Sequence, residues 1–183
     1  MEDKEMELAN IVKGQWKDVK KIYVEAFPKK ERKPFFMLKH CANKGKIDIL
    51  VATENNTLLG FIVLVPYKDM IMVDYLAVSN NTRSHGTGSK ILKKVCEDYK
   101  DKRILLLIEQ CDEKAQNNQQ RIARKKFYLK NGFISSEIFI HGASGNMEIL
   151  CWGGNILTDE YLAVQSYSLG RILFALSRIE IVL

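Results

Sequence analysis

At 183 residues the chain is long enough for one domain with a substantial core and short for two. A hydrophobic share of 46% and a charged share of 27% are ordinary for a globular protein, and with three prolines and eleven glycines no low-complexity linker is present. The formal net charge of +6 favours anionic partners, a phosphorylated cofactor or nucleic acid, without choosing between them.

The stretch from Met1 to Glu7 is acidic and lacks the apolar core of a signal peptide. No run approaches the ~20 apolar residues of a membrane span. The expected location is therefore cytoplasmic, with no membrane partner. Cys41, Cys96, Cys111 and Cys151 form no Cys-x-x-Cys pair and no metal-ligand spacing with His40, His85 or His141. They read as reduced thiols, and no metal site is expected.

Leu8 to Val12 suits a short first strand. Trp16, Val19, Ile22, Tyr23 and Ala26 recur at helical spacing, so a helix runs from about Gln15 to Phe27 and stops at Pro28. Lys29 to Pro34 is a charged loop, and Phe35 to Ala42 resumes as helix. Ile47, Ile49 and Val51 alternate with polar residues as a strand. Asn55-Asn56 is a turn, and Leu58 to Val65 is a buried strand completing a hairpin.

A turn at Tyr67 to Asp69 leads to a third apolar run, Met70 to Val78, suited to a strand buried on both faces. Ser79 to Ser89 is a Gly-rich loop. Ile91, Leu92, Val95, Cys96 and Tyr99 then mark an amphipathic helix. Arg103 to Ile108 is a buried strand that emerges at Glu109. Joined to the Met70 to Val78 strand through a helix, it is expected to lie parallel to it.

A helix from about Gln119 to Lys130 is capped by Asn131-Gly132. Phe133 to Ile140 and Met147 to Trp152 form a second hairpin. Thr158 is the expected N-cap of a last helix, and Arg171 to Arg178 is expected as a packing or oligomer helix. The overall reading is a mixed α+β sheet.

Strand, glycine loop and helix make a general anion site, because small residues let backbone N–H groups converge where the helix adds partial positive charge. The form here is Arg83-x-x-Gly86-x-Gly88 directly after Leu76-Ala77-Val78. It is neither the dinucleotide fingerprint nor the Walker loop. Forty residues beyond Gly88 stands Tyr128, within Tyr128-x-x-x-Gly132-Phe133.

Together these resemble the acetyl-CoA pyrophosphate loop and the Tyr-x-x-x-Gly-Phe element of the GNAT superfamily of N-acetyltransferases. The element order also resembles that family over roughly residues 5 to 154. The resemblance implies a central, mostly antiparallel sheet with one parallel pair splayed for acetyl-CoA and flanked by helices. Residues 1–154 would be the GNAT-like domain and 155–183 a C-terminal helical extension, packed on the same domain or at an oligomer contact. The protein would be a monomer or homodimer.

It further implies direct acetyl transfer from acetyl-CoA, as co-substrate, to a primary amine of a small molecule or peptide. Leu76, Ala77, Val78, Arg83, Ser84, His85, Gly86, Thr87, Gly88 and Ser89 would bind the cofactor, with a backbone N–H near Leu76 to Val78 as oxyanion donor. Tyr128 would protonate the departing thiolate, since a phenol of pKa ~10 is protonated at neutral pH. An amine of pKa ~10.4 must lose a proton, so a base or a water chain must take it.

Two acids are candidates for that base. Asp74 interrupts an apolar strand, where a charge is costly unless paired or functional. Glu109 stands at the C-terminal end of the next strand, where α/β sites open. A salt-bridged structural acid is the alternative for both. Where many family members carry asparagine, seven residues before the tyrosine, this chain has Arg121, with Asn117 and Asn118 out of register. A non-catalytic acyl-CoA-binding module is thus the runner-up. A nucleic-acid binder lacks any helix-turn-helix, RNP-like or zinc signature to support it.

Overall fold

The computed structural model describes residues 6–82, 86–142 and 145–182. Two compact units emerge, Met1–Pro66 with Val73–Asp98, and Tyr67–Met72 with Tyr99–Leu183. The first carries β1 (Glu7–Asn10), α1 (Trp16–Ala26), α2 (Phe35–Asn43), β2 (Asp48–Glu54), α3 (Thr87–Asp98) and most of β3 (Thr57–Tyr67) and β4 (Met70–Val78). Its strands lie in the order β1-β2-β3-β4.

The apolar periodicities account for these elements. On α1, Val19, Ile22 and Tyr23 are buried, and the helix ends where Pro28 blocks further turns, with the Phe27 N–H donating to the Tyr23 carbonyl. On α3 the buried set is Thr87, Ile91, Leu92, Val95 and Cys96. Leu59 to Val65 of β3 are all buried, as a strand covered on both faces requires. Each such aliphatic side chain contributes ~1.5–3 kcal/mol on burial. The β2–β3 hairpin turns at Asn55 and Asn56, both left-handed at φ 49° and 62°, a conformation asparagine tolerates.

An aromatic cluster closes this core. The Tyr23 ring lies 4.9 Å from Tyr75, 5.6 Å from Phe27 and 5.7 Å from Phe35, joining α1, α2 and β4.

The second unit carries β5 (Arg103–Glu109), α4 (Asn118–Lys130), β6 (Ile134–Gly142), β7 (Gly145–Trp152), α5 (Thr158–Leu169), α6 (Arg171–Leu176) and β8 (Glu180–Val182). Its strands lie in the order β5-β7-β6-β8, and all three pairings are antiparallel. The register sets Glu148 of β7 opposite Ile108 of β5 and Phe139 of β6. A bulge in β6 between Ser135 and Phe139 places Glu137 at φ 61°.

The tail, expected as a helical extension, carries two helices and also a strand. After α6 it ends in β8, which pairs Phe139, His141 and Ile140 with Val182, Glu180 and Ile181. The N-cap of α5 is Leu157 rather than Thr158. The Leu157 N–H is satisfied by the Glu160 carboxylate at 2.9 Å, so the acid three residues on does the capping. Arg103 anchors α5, donating to both Glu160 oxygens at 2.8 and 2.7 Å, to Asp69 and to the Asn155 carbonyl.

Cys96 and Cys151 are buried, and burial pushes both thiols up to about 11. Cys111 is exposed and is no part of a core.

Candidate active site

In the first unit, the end of β4 meets β3 at close quarters. A Cβ added to Gly60 would stand 2.5 Å from the Ala77 carbonyl oxygen, so only glycine lets the backbones approach there. The Ser79 N–H donates to the Leu59 carbonyl at 2.7 Å, and the Thr82 hydroxyl donates to the same carbonyl at 3.1 Å. These bonds fix where the chain leaves β4 through a single 3-10 turn, Asn80–Thr82. Arg83, Ser84 and His85 lie outside the described residues.

Gly86 resumes the chain at φ 77°, exposed, with open space around it. Its carbonyl accepts from the Lys90 N–H at 3.0 Å, starting α3. Thr87, Gly88 and Ser89 therefore form the first helical turn, whose N–H groups have no partner within a helix. The strand, the glycine at positive φ and the helix start supply backbone donors of the kind a pyrophosphate takes. That geometry fits acetyl-CoA's phosphates.

Asp74 is held by the loop between α1 and α2. Lys33 Nζ lies 2.7 Å from its Oδ2, and the two side chains keep 26% and 15% of their exposure. The same loop is pinned by two tyrosines. Tyr23 donates to the Lys33 carbonyl, while Tyr75 accepts from the Lys33 N–H and donates to the Glu31 carbonyl, each at 3.0 Å. Burial and the neighbouring Asp74 charge drive the Tyr75 phenol far above its ordinary range.

In the second unit, Glu109 closes β5 and is 12% exposed. Its Oε1 meets Arg121 at 3.2 Å, its Oε2 meets Arg124 at 3.3 Å, and the Asn117 amide donates to both. Arg121 also donates to the Gln110 carbonyl and the Asn117 side chain. Tyr128 follows on α4 and is 9% exposed, with its ring 5.1 Å from Phe127 and 5.8 Å from Phe133. Burial pushes its phenol up to about 12, against an opposing pull from Arg124. Arg124 thus pairs with Glu109 and its charge also bears on Tyr128. A cavity of about 630 Å³ opens beyond the end of β5, lined by Gln110, Cys111, Asp112, Arg121, His141 and Asn146.

Sequence reasoning missed Lys33 as the partner of Asp74, Asn117 as a ligand of Glu109, and Glu148. Glu148 is 1% exposed in β7 and meets Lys125 Nζ at 2.7 Å. It interrupts an apolar strand just as Asp74 does, so the same signal was there to be read. Among the described residues no group of three His, Cys, Asp or Glu is placed to hold a metal, and no helix is long and apolar enough to cross a membrane.

Residues 45–135 match the family model described as acetyltransferase (GNAT) domain. A protein of Bacillus subtilis named as an acetyltransferase, YjbC, is 28% identical over 106 residues, covering 54% of this chain and 53% of its own. The chain thus spans about half the length of that relative. A structure from Bacteroides thetaiotaomicron, described as a GNAT-family acetyltransferase, superposes with a TM-score of 0.73 at 20% identity, covering 92% of this chain and 98% of that one. A Bacillus subtilis acetyltransferase in complex with CoA gives 0.60 at 15% identity, covering 84% and 99%. The chain carries a GNAT acetyltransferase domain, and its α+β fold is the GNAT fold.

Proposed function

We propose that this protein is an acetyl-CoA-dependent N-acetyltransferase acting on a primary amine. The observation that carries the reading is the run from β4 to α3, in which Gly86 at φ 77° opens a helix whose first N–H groups have no helical partner, within a family-matched segment. Gly86, Thr87, Gly88 and Ser89 would bind the pyrophosphate, together with Arg83, Ser84 and His85. A backbone N–H near Leu76 to Val78 would receive the developing oxyanion.

In this reading the amine nitrogen attacks the acetyl carbonyl carbon, the C–S bond breaks, and Tyr128 gives its proton to the departing thiolate. A phenol raised to about 12 stays protonated throughout the neutral range, the state a donor needs. The amine's proton goes to a carboxylate. Both oxygens of Glu109 are engaged by arginines and Asn117, whereas Lys33 meets Asp74 through Oδ2. The lighter engagement of Asp74 favours it as the acceptor of the two. A structural relative solved in complex with CoA agrees with acetyl-CoA use.

The engagement of both candidate bases in ion pairs also favours a second reading, an acyl-CoA-binding module without turnover. Amine-dependent release of CoA thiol from acetyl-CoA, measured over a panel of primary amines, separates the two. The enzyme reading expects turnover that falls roughly 10²- to 10⁴-fold in Tyr128→Phe. Acetyl-CoA binding with no turnover on any amine supports the module.

A further inference from the structure

We propose that the Lys125–Glu148 ion pair positions Tyr128, holding α4 on the strands beneath it so that the phenol is aimed. This rests on Tyr128 being the general acid. Lys125 Nζ contacts both Glu148 oxygens, at 2.9 and 2.7 Å. Glu148 is 1% exposed, and its strand neighbours Ile149 and Leu150 are fully buried. Lys125 stands three residues before Tyr128, one helical turn away and on the same side of α4.

A carboxylate in such surroundings contributes little to stability, because desolvation offsets the attraction, and apolar side chains of similar size commonly do as well or better. What the pair does supply is geometry. Arg121 and Arg124 tie α4 to Glu109 at the end of β5. Lys125 ties it to Glu148 on β7. Attachment to two adjacent strands fixes both the slide of α4 along the sheet and its rotation about its own axis. Gly132 marks how closely the next segment then approaches, since a Cβ there would stand 3.4 Å from the Trp152 indole nitrogen. Glu109 keeps 12% of its exposure at the end of β5, whereas Glu148 is sealed from solvent and serves as an anchor.

The test compares Glu148→Gln with the double variant Lys125→Met/Glu148→Leu in the full chain. The protein is labelled with 3-fluorotyrosine, and the Tyr128 resonance is identified by its loss in Tyr128→Phe. Glu148→Gln is expected to lower Tm and to displace the Tyr128 resonance. In the double variant Tm returns to the wild-type value or above, but the resonance stays displaced. Its kcat for amine acetylation falls roughly 10- to 100-fold, with the acetyl-CoA KM unchanged within about two-fold.

In the Tyr128→Phe background the double substitution adds no further loss, because both act through one group. Lys125→Arg, which keeps the pair, retains the wild-type resonance. A double variant with wild-type resonance and wild-type kcat overturns the proposal. If Tyr128→Phe itself keeps full kcat, the general-acid reading fails, and the fluorine spectra still decide whether the pair positions the ring.

Discussion

Lys33 Nζ sits 2.7 Å from Asp74 Oδ2, so the loop between the first two helices is tied to the one carboxylate in an otherwise apolar strand. The tie is reinforced by the Tyr23 and Tyr75 hydroxyls on the backbone of the same loop. If Asp74 takes the amine's proton, Asp74→Asn lowers kcat by roughly 10²- to 10⁴-fold, while Glu109→Gln acts through α4 and costs less. Turnover of both variants, with Tm recorded alongside, checks the order. Equal retention of activity would assign the proton to water.

Acid should loosen the second unit at a definite place. Arg103 and the Leu157 N–H hold the Glu160 carboxyl down at about 2, well below its ordinary 4.5. A carboxylate with a depressed folded-state pKa stabilises fully above its unfolded value, and that contribution disappears as pH falls through the folded one. Stability is thus expected to drop between about pH 4.5 and 2. Arg103→Met should flatten this part of the profile, as read from urea midpoints at successive pH values.

Gly60 should tolerate no side chain. An alanine Cβ would stand 2.5 Å from the Ala77 carbonyl oxygen and 3.1 Å from the Val78 Cα. Gly60→Ala is expected to cost about 1–3 kcal/mol by overpacking. The same displacement moves the end of β4, so acetyl-CoA affinity should fall with it. Denaturant unfolding and a binding titration on the same sample test both halves.

Much of this was legible in the sequence where the signal is local. Met70–Val78 is a strand at the predicted bounds because nine residues carry one charge and no breaker. Asn55-Asn56 turns as read, since asparagine accepts left-handed backbone. The strand Glu180–Val182 was not legible, because three residues are too few for an alternating pattern and its partner, β6, lies some forty residues away. Contacts of this length explain the site's misses as well. Nothing near Asp74 in sequence announces Lys33, forty-one residues distant. The acid at Glu148 was visible, but its partner Lys125 lies 23 residues away in sequence.

The central claim is that the loop around Gly86 binds acetyl-CoA. Isothermal titration with acetyl-CoA, on wild type and on Gly86→Glu, tests it most directly. The substitution strains a backbone at φ 77° and sets a negative charge against the pyrophosphate. Saturable binding by wild type, lost in a variant that keeps its circular dichroism and thermal transition, is the expected result. A folded wild type that takes up no acetyl-CoA, or a variant that binds it as tightly as wild type, would contradict the claim.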